Sequence, residues 1–228
     1  MKNKSYIGTA FIILVFGIYF IPKIVDRIKS DDVVKSDRLS KTNNGDTAVK
    51  SDLVTIGKAP LFSLTDQNKE MISNKTYAGK VYVVEFFFST CPSICPIMNK
   101  NMKIVQESFG ANSNFGIASI SINPENDTPE VLKEHAETIG AKGVNWHFLT
   151  GDRTKIFDMA NKGYNLYVGK NSKVSGGFEH SGFFALIDKN GNIRSRRDEF
   201  GNPIIYYDGL KDEGVKQIKQ DITKLLAE

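Results

Sequence analysis

Lys80-Val-Tyr-Val-Val-Glu-Phe-Phe-Phe-Ser-Thr-Cys91-Pro-Ser-Ile-Cys95-Pro-Ile-Met98 carries both cysteines of the 228-residue chain. Val81 to Phe88 is a β-branched and aromatic run broken only by Glu85, the pattern of a strand buried on both faces. Ile97, Ile104, Val105 and Phe109 then recur at roughly helical spacing, so the cysteines stand at a strand-to-helix turn. Pro92 biases Cys91 away from helical geometry, while Pro96 suits a first helical turn, where its missing N–H costs nothing. A helix N-terminus favours thiolate, the form that ligates metals and attacks disulfides. Three residues between the cysteines put the sulfurs about one turn apart, able to close a disulfide or to converge on a soft metal ion. Two sulfurs are an incomplete zinc site, but copper(I) accepts two or three soft donors. Inert buried thiols are the alternative, and the Pro-rich turn shared by both cysteines argues against it.

Toward the N-terminus, Ser5 to Pro22 is uncharged and close to the length of a bilayer crossing, with Tyr6, Tyr19 and Phe20 near its ends. We read residues 1–25 as a single membrane anchor rather than a cleaved signal, since no small-x-small site follows the run. A lipid anchor would need a cysteine directly after it, and none stands there. Lys2 and Lys4 before the span are matched by Lys23, Arg27 and Lys29 after it, so charge does not orient it. Residues 26–55 are expected to be a flexible charged linker: Asp26 to Asp52 holds six Lys or Arg, six Asp and no aromatic residue. As a coil, that stretch spans roughly 30 Å, enough for a domain to search the region beside a membrane. The net charge of +4 is modest and scattered, which speaks against a nucleic-acid surface.

Residues 56–228 then read as one domain. Ala59 to Ser73 predicts a β-hairpin turning at Asp66-Gln-Asn68, and Asn114 to Asn123 a strand. A helix follows, capped by Asp127 or Thr128, with Pro129 in its first turn and its end at Gly140. Trp146 to Leu149 predicts a strand, Thr154 to Asn161 a helix, and Leu166 with Val168 a brief extended piece. The Gly-rich stretch Lys170 to Gly177 reads as a loop leading to Glu179-His180-Ser181. Phe183 to Ile187 and Ile193 to Arg196 flank Asp188-Lys-Asn-Gly191, a hairpin signal, and Val215, Ile218, Ile222, Leu225 and Leu226 mark a closing amphipathic helix. This alternation implies an α/β sheet covered by helices.

With these motifs in view, the chain resembles the Sco/SenC family of membrane-tethered, thioredoxin-like copper proteins. The likeness is carried by Pro60-Leu-Phe-Ser-Leu-Thr-Asp-Gln67, Phe87-Phe-Ser-Thr-Cys-Pro-Ser-Ile-Cys-Pro-Ile-Met98, Ser121-Ile-Asn-Pro-Glu-Asn-Asp-Thr-Pro129, Trp146-His-Phe-Leu-Thr-Gly151 and His180-Ser181. It implies a thioredoxin-like fold: a central mixed β-sheet flanked by helices, with an N-terminal β-hairpin extension and a single N-terminal transmembrane helix. It also implies that Cys91, Cys95 and His180 ligate copper, as Cu(I) or Cu(II), on the outer side of a bacterial cytoplasmic membrane. The implied partners are the copper-site subunit of cytochrome oxidase and a copper donor protein.

The resemblance implies a copper metallochaperone for the dinuclear copper site of the oxidase. A membrane-tethered thiol-disulfide oxidoreductase using Cys91 and Cys95 as a redox pair is the second reading, because copper insertion needs reduced target cysteines in a compartment that favours disulfides. A peroxidase is disfavoured: thioredoxin-like peroxidases place Thr three residues before the reactive cysteine, where this chain has Phe88. His135 and His147 read as structural, and Met98 and Met102 as apolar packing despite their soft sulfur. Two positions depart from the family pattern: Asn123 stands before Pro124 where Asp is common, and Glu179 before His180 where Asp is common. Both bear on tuning and partner choice rather than on the ligands.

Overall fold

Val81–Phe87 forms a strand in which every side chain is buried, and the sheet is built outward from it in both directions. In this computed structural model the described residues are 14–16, 18–22, 51–142 and 145–228. The chain divides into two units, Met1–Thr47 and Ala48–Glu228. In the first, the two described stretches are helical and exposed, with Phe16 stacked on Phe20. Among the described residues no helix is long and apolar enough to cross a membrane. The greater part of the expected anchor and nearly all of the charged linker lie outside the described residues.

The second unit holds eleven strands and four α-helices among the described residues. The strands are β1 (Val54–Lys58), β2 (Ser63–Asp66), β3 (Met71–Ser73), β4 (Val81–Phe87), β5 (Phe115–Ser121), β6 (Trp146–Thr150), β7 (Val168–Lys170), β8 (Phe178–His180), β9 (Phe183–Ile187), β10 (Asn192–Ser195) and β11 (Tyr207–Asp208). The helices are α1 (Cys95–Phe109), α2 (Pro129–Ile139), α3 (Arg153–Asp158) and α4 (Asp212–Ala227). The main sheet runs β1-β10-β9-β4-β5-β6-β2-β3, with β11 added to β9. β4, β5 and β6 are parallel neighbours, while β9 meets β4 and β2 meets β6 antiparallel. This is the expected mixed thioredoxin-like sheet, and the Ser63–Ser73 hairpin extends it rather than standing apart.

Sequence explains the layers. Met98, Met102 and Val105 on α1 and Val215, Ile218, Ile222 and Leu225 on α4 are buried, so the two helices give their apolar stripes to a shared core. Burying side chains of this size stabilises the fold by about 1.5–3 kcal/mol each. α2 begins where Thr128 accepts the Val131 N–H, and ends at Gly140, whose φ of 71° is a left-handed cap open to glycine at little cost. Because β4 and β5 run parallel, their carboxyl ends share one edge of the sheet, the edge at which such folds bind ligands.

Three features differ from the sequence reading. β1 and β11 were not expected; β1 is a partly exposed edge strand with a register shift between Thr55 and Gly57, which blurs any alternation. Lys170 to Gly177, expected as a loop, is largely the turn of the β7–β8 hairpin, closed by the Asn171 N–H bond to the Gly177 carbonyl. The expected Thr154 to Asn161 helix is α3 followed by a π-turn at Met159–Gly163.

Candidate metal centre

β4 delivers the chain at the sheet edge, and the loop after it is pinned rather than free. The Cys91 N–H donates to the Phe88 carbonyl at 3.2 Å. Asp127, fully buried, accepts from the Ser89 N–H at 3.0 Å, from the Ser89 hydroxyl at 2.5 Å and from the Ser121 hydroxyl. The cap of α2 is therefore Thr128, and Asp127 clamps the cysteine loop to the end of β5. α1 starts at Cys95 with Pro96 in its first turn, as the prolines predict.

His180 arrives from the other side, on β8. Its hairpin lies directly over the cysteine loop because Gly176 has no side chain: a Cβ there would stand 2.8 Å from a Phe88 ring carbon and 3.3 Å from Pro92 Cδ. Gly176 also holds a φ of 89°, which an L side chain rarely adopts. Under the hairpin, the Phe88 ring meets Phe178 at 5.6 Å and the His180 imidazole edge-on at 5.9 Å. Glu179 accepts from Asn171 Nδ2 at 2.9 Å and so ties the two arms of the hairpin together.

The result is one cluster. A ligand atom from each of Cys91, Cys95 and His180 lies within 4.8 Å of the others. His180 Nε2 stands 3.2 Å from Cys95 Sγ, while Nδ1–H donates to the Ser181 carbonyl at 3.2 Å, leaving the Nε2 lone pair directed at the sulfurs. Two sulfurs and an imidazole, with no carboxylate among them, form a soft donor set that suits copper and does not suit magnesium or calcium. Three donors fall one short of a closed zinc site. Both cysteines are free thiols in this structure.

The two sulfurs are not equivalent. The sequence predicts thiol pKa values lowered by the helix start, and only Cys91 conforms. The Cys95 thiol proton facing it holds Cys91 down at about 3 against the cost of burial. The same shared proton pushes Cys95 well above the ordinary thiol range, with burial and the negative field of Glu85 adding to the rise. Cys91 is the poised thiolate and Cys95 its buried, protonated partner.

Glu85 is a residue whose role sequence reasoning missed. It interrupts an apolar strand, is fully buried, and takes one hydrogen bond at 2.6 Å from Ser119, which in turn accepts from Trp146 Nε1 at 2.9 Å. Its other oxygen has no hydrogen-bond partner among the described residues. Burial therefore pushes its carboxyl up to about 7. The signal in the sequence was a lone acid in a run of Val and Phe, costly unless it serves something.

The remaining candidates stay outside the cluster. His135 stacks on Phe87 at 5.4 Å and meets Asn99 Nδ2 at 3.4 Å. His147 pairs with Asp66 at 2.9 Å. Met98 and Met102 are fully buried in the apolar core, as their packing role requires. Asn123 donates its backbone N–H to the Ser121 hydroxyl, and its carbonyl accepts from the Asp127 N–H.

Comparison with known proteins bears on this site. The model of the SCO1/SenC family matches residues 55–213. A SCO2-like protein of Rickettsia typhi is 35% identical over 151 residues, covering 64% of this chain and 72% of its own length. The structure of BsSco, a member of the Sco family of cytochrome c oxidase assembly proteins in which a disulfide switch has been identified, superposes with a TM-score of 0.63 at 26% identity, covering 75% of this chain and 95% of its own. Yeast Sco1 with copper bound superposes with a TM-score of 0.54 at 25% identity, covering 73% and 89% of the two chains.

Two outcomes follow from the electrostatics. An acid raised to about 7 on folding favours the fold fully below its unfolded value, and that favour is lost as pH rises through the folded value. Glu85→Gln should therefore remove a fall of up to roughly 3 kcal/mol in stability between about pH 5 and pH 8. Urea unfolding at both pH values measures it, and an equal fall in parent and variant contradicts it. Separately, alkylation of Cys91 by iodoacetamide should stay nearly flat from about pH 8 down to pH 5, where an ordinary thiol loses reactivity about tenfold for each unit the pH is lowered. A rate that drops about tenfold per unit as the pH is lowered through that window removes the assignment of Cys91 as the thiolate.

Proposed function

Because the chain belongs to the SCO1/SenC family, we propose that it is a copper metallochaperone in which Cys91, Cys95 and His180 hold one copper ion for delivery to the dinuclear copper site of a cytochrome oxidase. One observation carries the reading: three donors, two from the cysteine turn and one from a segment 85 residues further on, converge within 4.8 Å at the carboxyl edge of the sheet. Copper is the cargo here. Cys91 offers a ready thiolate, Cys95 releases its proton as the ion binds, and His180 completes the set with a lone pair already oriented by Ser181. Three ligands leave copper(I) open to an incoming thiolate, so ligands are exchanged one at a time without a free ion. The copper-bound yeast relative and the oxidase-assembly role of BsSco support this cargo and this class of recipient. The anchor and linker expected over residues 1–55 would hold the domain beside a membrane-bound oxidase and its copper donor on the outer face of a bacterial cytoplasmic membrane.

The unequal cysteines favour a second role for the same pair. A thiolate beside a buried, protonated partner is the arrangement of a thiol-disulfide exchanger, and BsSco is a relative with an identified disulfide switch. Reduction of the recipient's cysteines would then precede metallation.

His180→Ala separates the two roles. The reduced full-length chain should bind one copper, and His180→Ala should weaken that affinity at least about tenfold while leaving the cysteine pair able to cycle. Competition against a copper(I) chelator measures it. Unchanged affinity, or cellular oxidase assembly that survives His180→Ala but not Cys91→Ser, would show that delivery is not the role of this site.

A further inference from the structure

A groove of about 470 Å³ opens beside the cysteines, and its chemistry is one-sided. Cys91, Cys95, Lys100 and Lys103 line it from the cysteine loop and α1, and His135 and Ile139 from α2. Among the described residues, two lysines and no carboxylate face it. Lys100 and Lys103 stand three apart on one helix, so their ammonium groups share a face. His135 adds no charge: burial lowers its basicity, and its ring is engaged by Phe87 and Asn99. From Pro96 to Lys103 the wall advances roughly 10 Å, the reach of about three extended residues. Cys91 stands at one end and is less enclosed than Cys95, at 8% against 2% exposure.

We propose that this groove seats an acidic, extended segment of the copper-receiving protein, with its carboxylates on Lys100 and Lys103 and its cysteine sulfur against Cys91. The inference rests on the delivery reading above and adds to it the charge and shape of the recipient. Exposed ion pairs contribute little to affinity, so the lysines act mainly on the rate and register of encounter.

The test uses the reduced full-length chain in detergent and two synthetic peptides. Each carries one cysteine, flanked by glutamates in one and by lysines in the other, and activated as a disulfide with a coloured aromatic thiol. The Cys91 thiolate attacks the peptide sulfur; the peptide–aryl S–S bond breaks, the Cys91–peptide S–S bond forms, and the electron pair leaves with the aryl thiolate, whose colour reports the rate. The acidic peptide should react about tenfold faster at low salt, with most of that preference lost by about 0.5 M salt. Lys100→Glu with Lys103→Glu should abolish or invert the preference while copper capacity stays at the parent's value. Equal rates for the two peptides, or a preference that survives the double variant, would overturn the proposal. So would a glutathione disulfide of the same aryl thiol reacting as fast as the acidic peptide, which would make the groove a small-thiol site. Copper binding by the parent is scored independently: its absence sinks the delivery reading and leaves the peptide result standing as a property of the groove.

Discussion

The seating of the β7–β8 hairpin on the Phe88 ring is the contact on which the site depends. Cys91 and Cys95 are close in sequence and need only a turn to meet, but His180 lies 85 residues beyond Cys95. What brings it home is the absence of a side chain at Gly176, the Phe88 to Phe178 contact, and the edge-on approach of the imidazole to Phe88. Any bulk at Gly176 pushes the hairpin, and with it the imidazole, away from sulfur. The loop beneath is equally constrained, since Asp127 holds Ser89 by both backbone and hydroxyl. The site is thus preformed from two rigid pieces, which lowers the entropy cost of gathering three ligands round one ion.

Its electrostatics follow from its depth. A site at the rim of a fully buried strand feels the carboxyl of Glu85 through protein rather than water, so charge on one group discourages charge on the next. The fold resolves this by keeping a single thiolate, on Cys91, and storing the proton on Cys95. Binding a cation reverses the preference, because positive charge stabilises both thiolates together. The same arrangement gives the pair its direction in thiol exchange, with the less enclosed sulfur as nucleophile and the buried one in reserve.

Much of this was legible in the chain. The Val81 to Phe88 run, the two prolines and the turn at Asp188-Lys-Asn-Gly191 each dictate local structure through strong constraints, and the corresponding elements appear where those constraints put them. The cysteine pair announced its chemistry by spacing and isolation. His180 did less: it follows a Gly-rich stretch instead of lying inside a helix or strand pattern as His135 and His147 do, but family resemblance was what selected it as a ligand. β1 and the β7–β8 hairpin were obscured because their pairing is set by distant strands and by glycines that also read as loop. Glu85 and Asp127 were visible as residues but not as roles, since the role of a buried acid depends on which donors the fold sets beside it. Of the two cap candidates the sequence offers, Thr128 caps the helix, while the tertiary structure sets Asp127 on the cysteine loop.

The most direct test of the account is X-ray absorption at the copper edge on the reduced, copper-loaded full-length chain. Two sulfur scatterers and one imidazole nitrogen per copper, with the imidazole signal lost in His180→Ala, are the result the convergence of Cys91, Cys95 and His180 predicts. A copper bound by sulfur alone, with a spectrum identical in parent and His180→Ala, would contradict it.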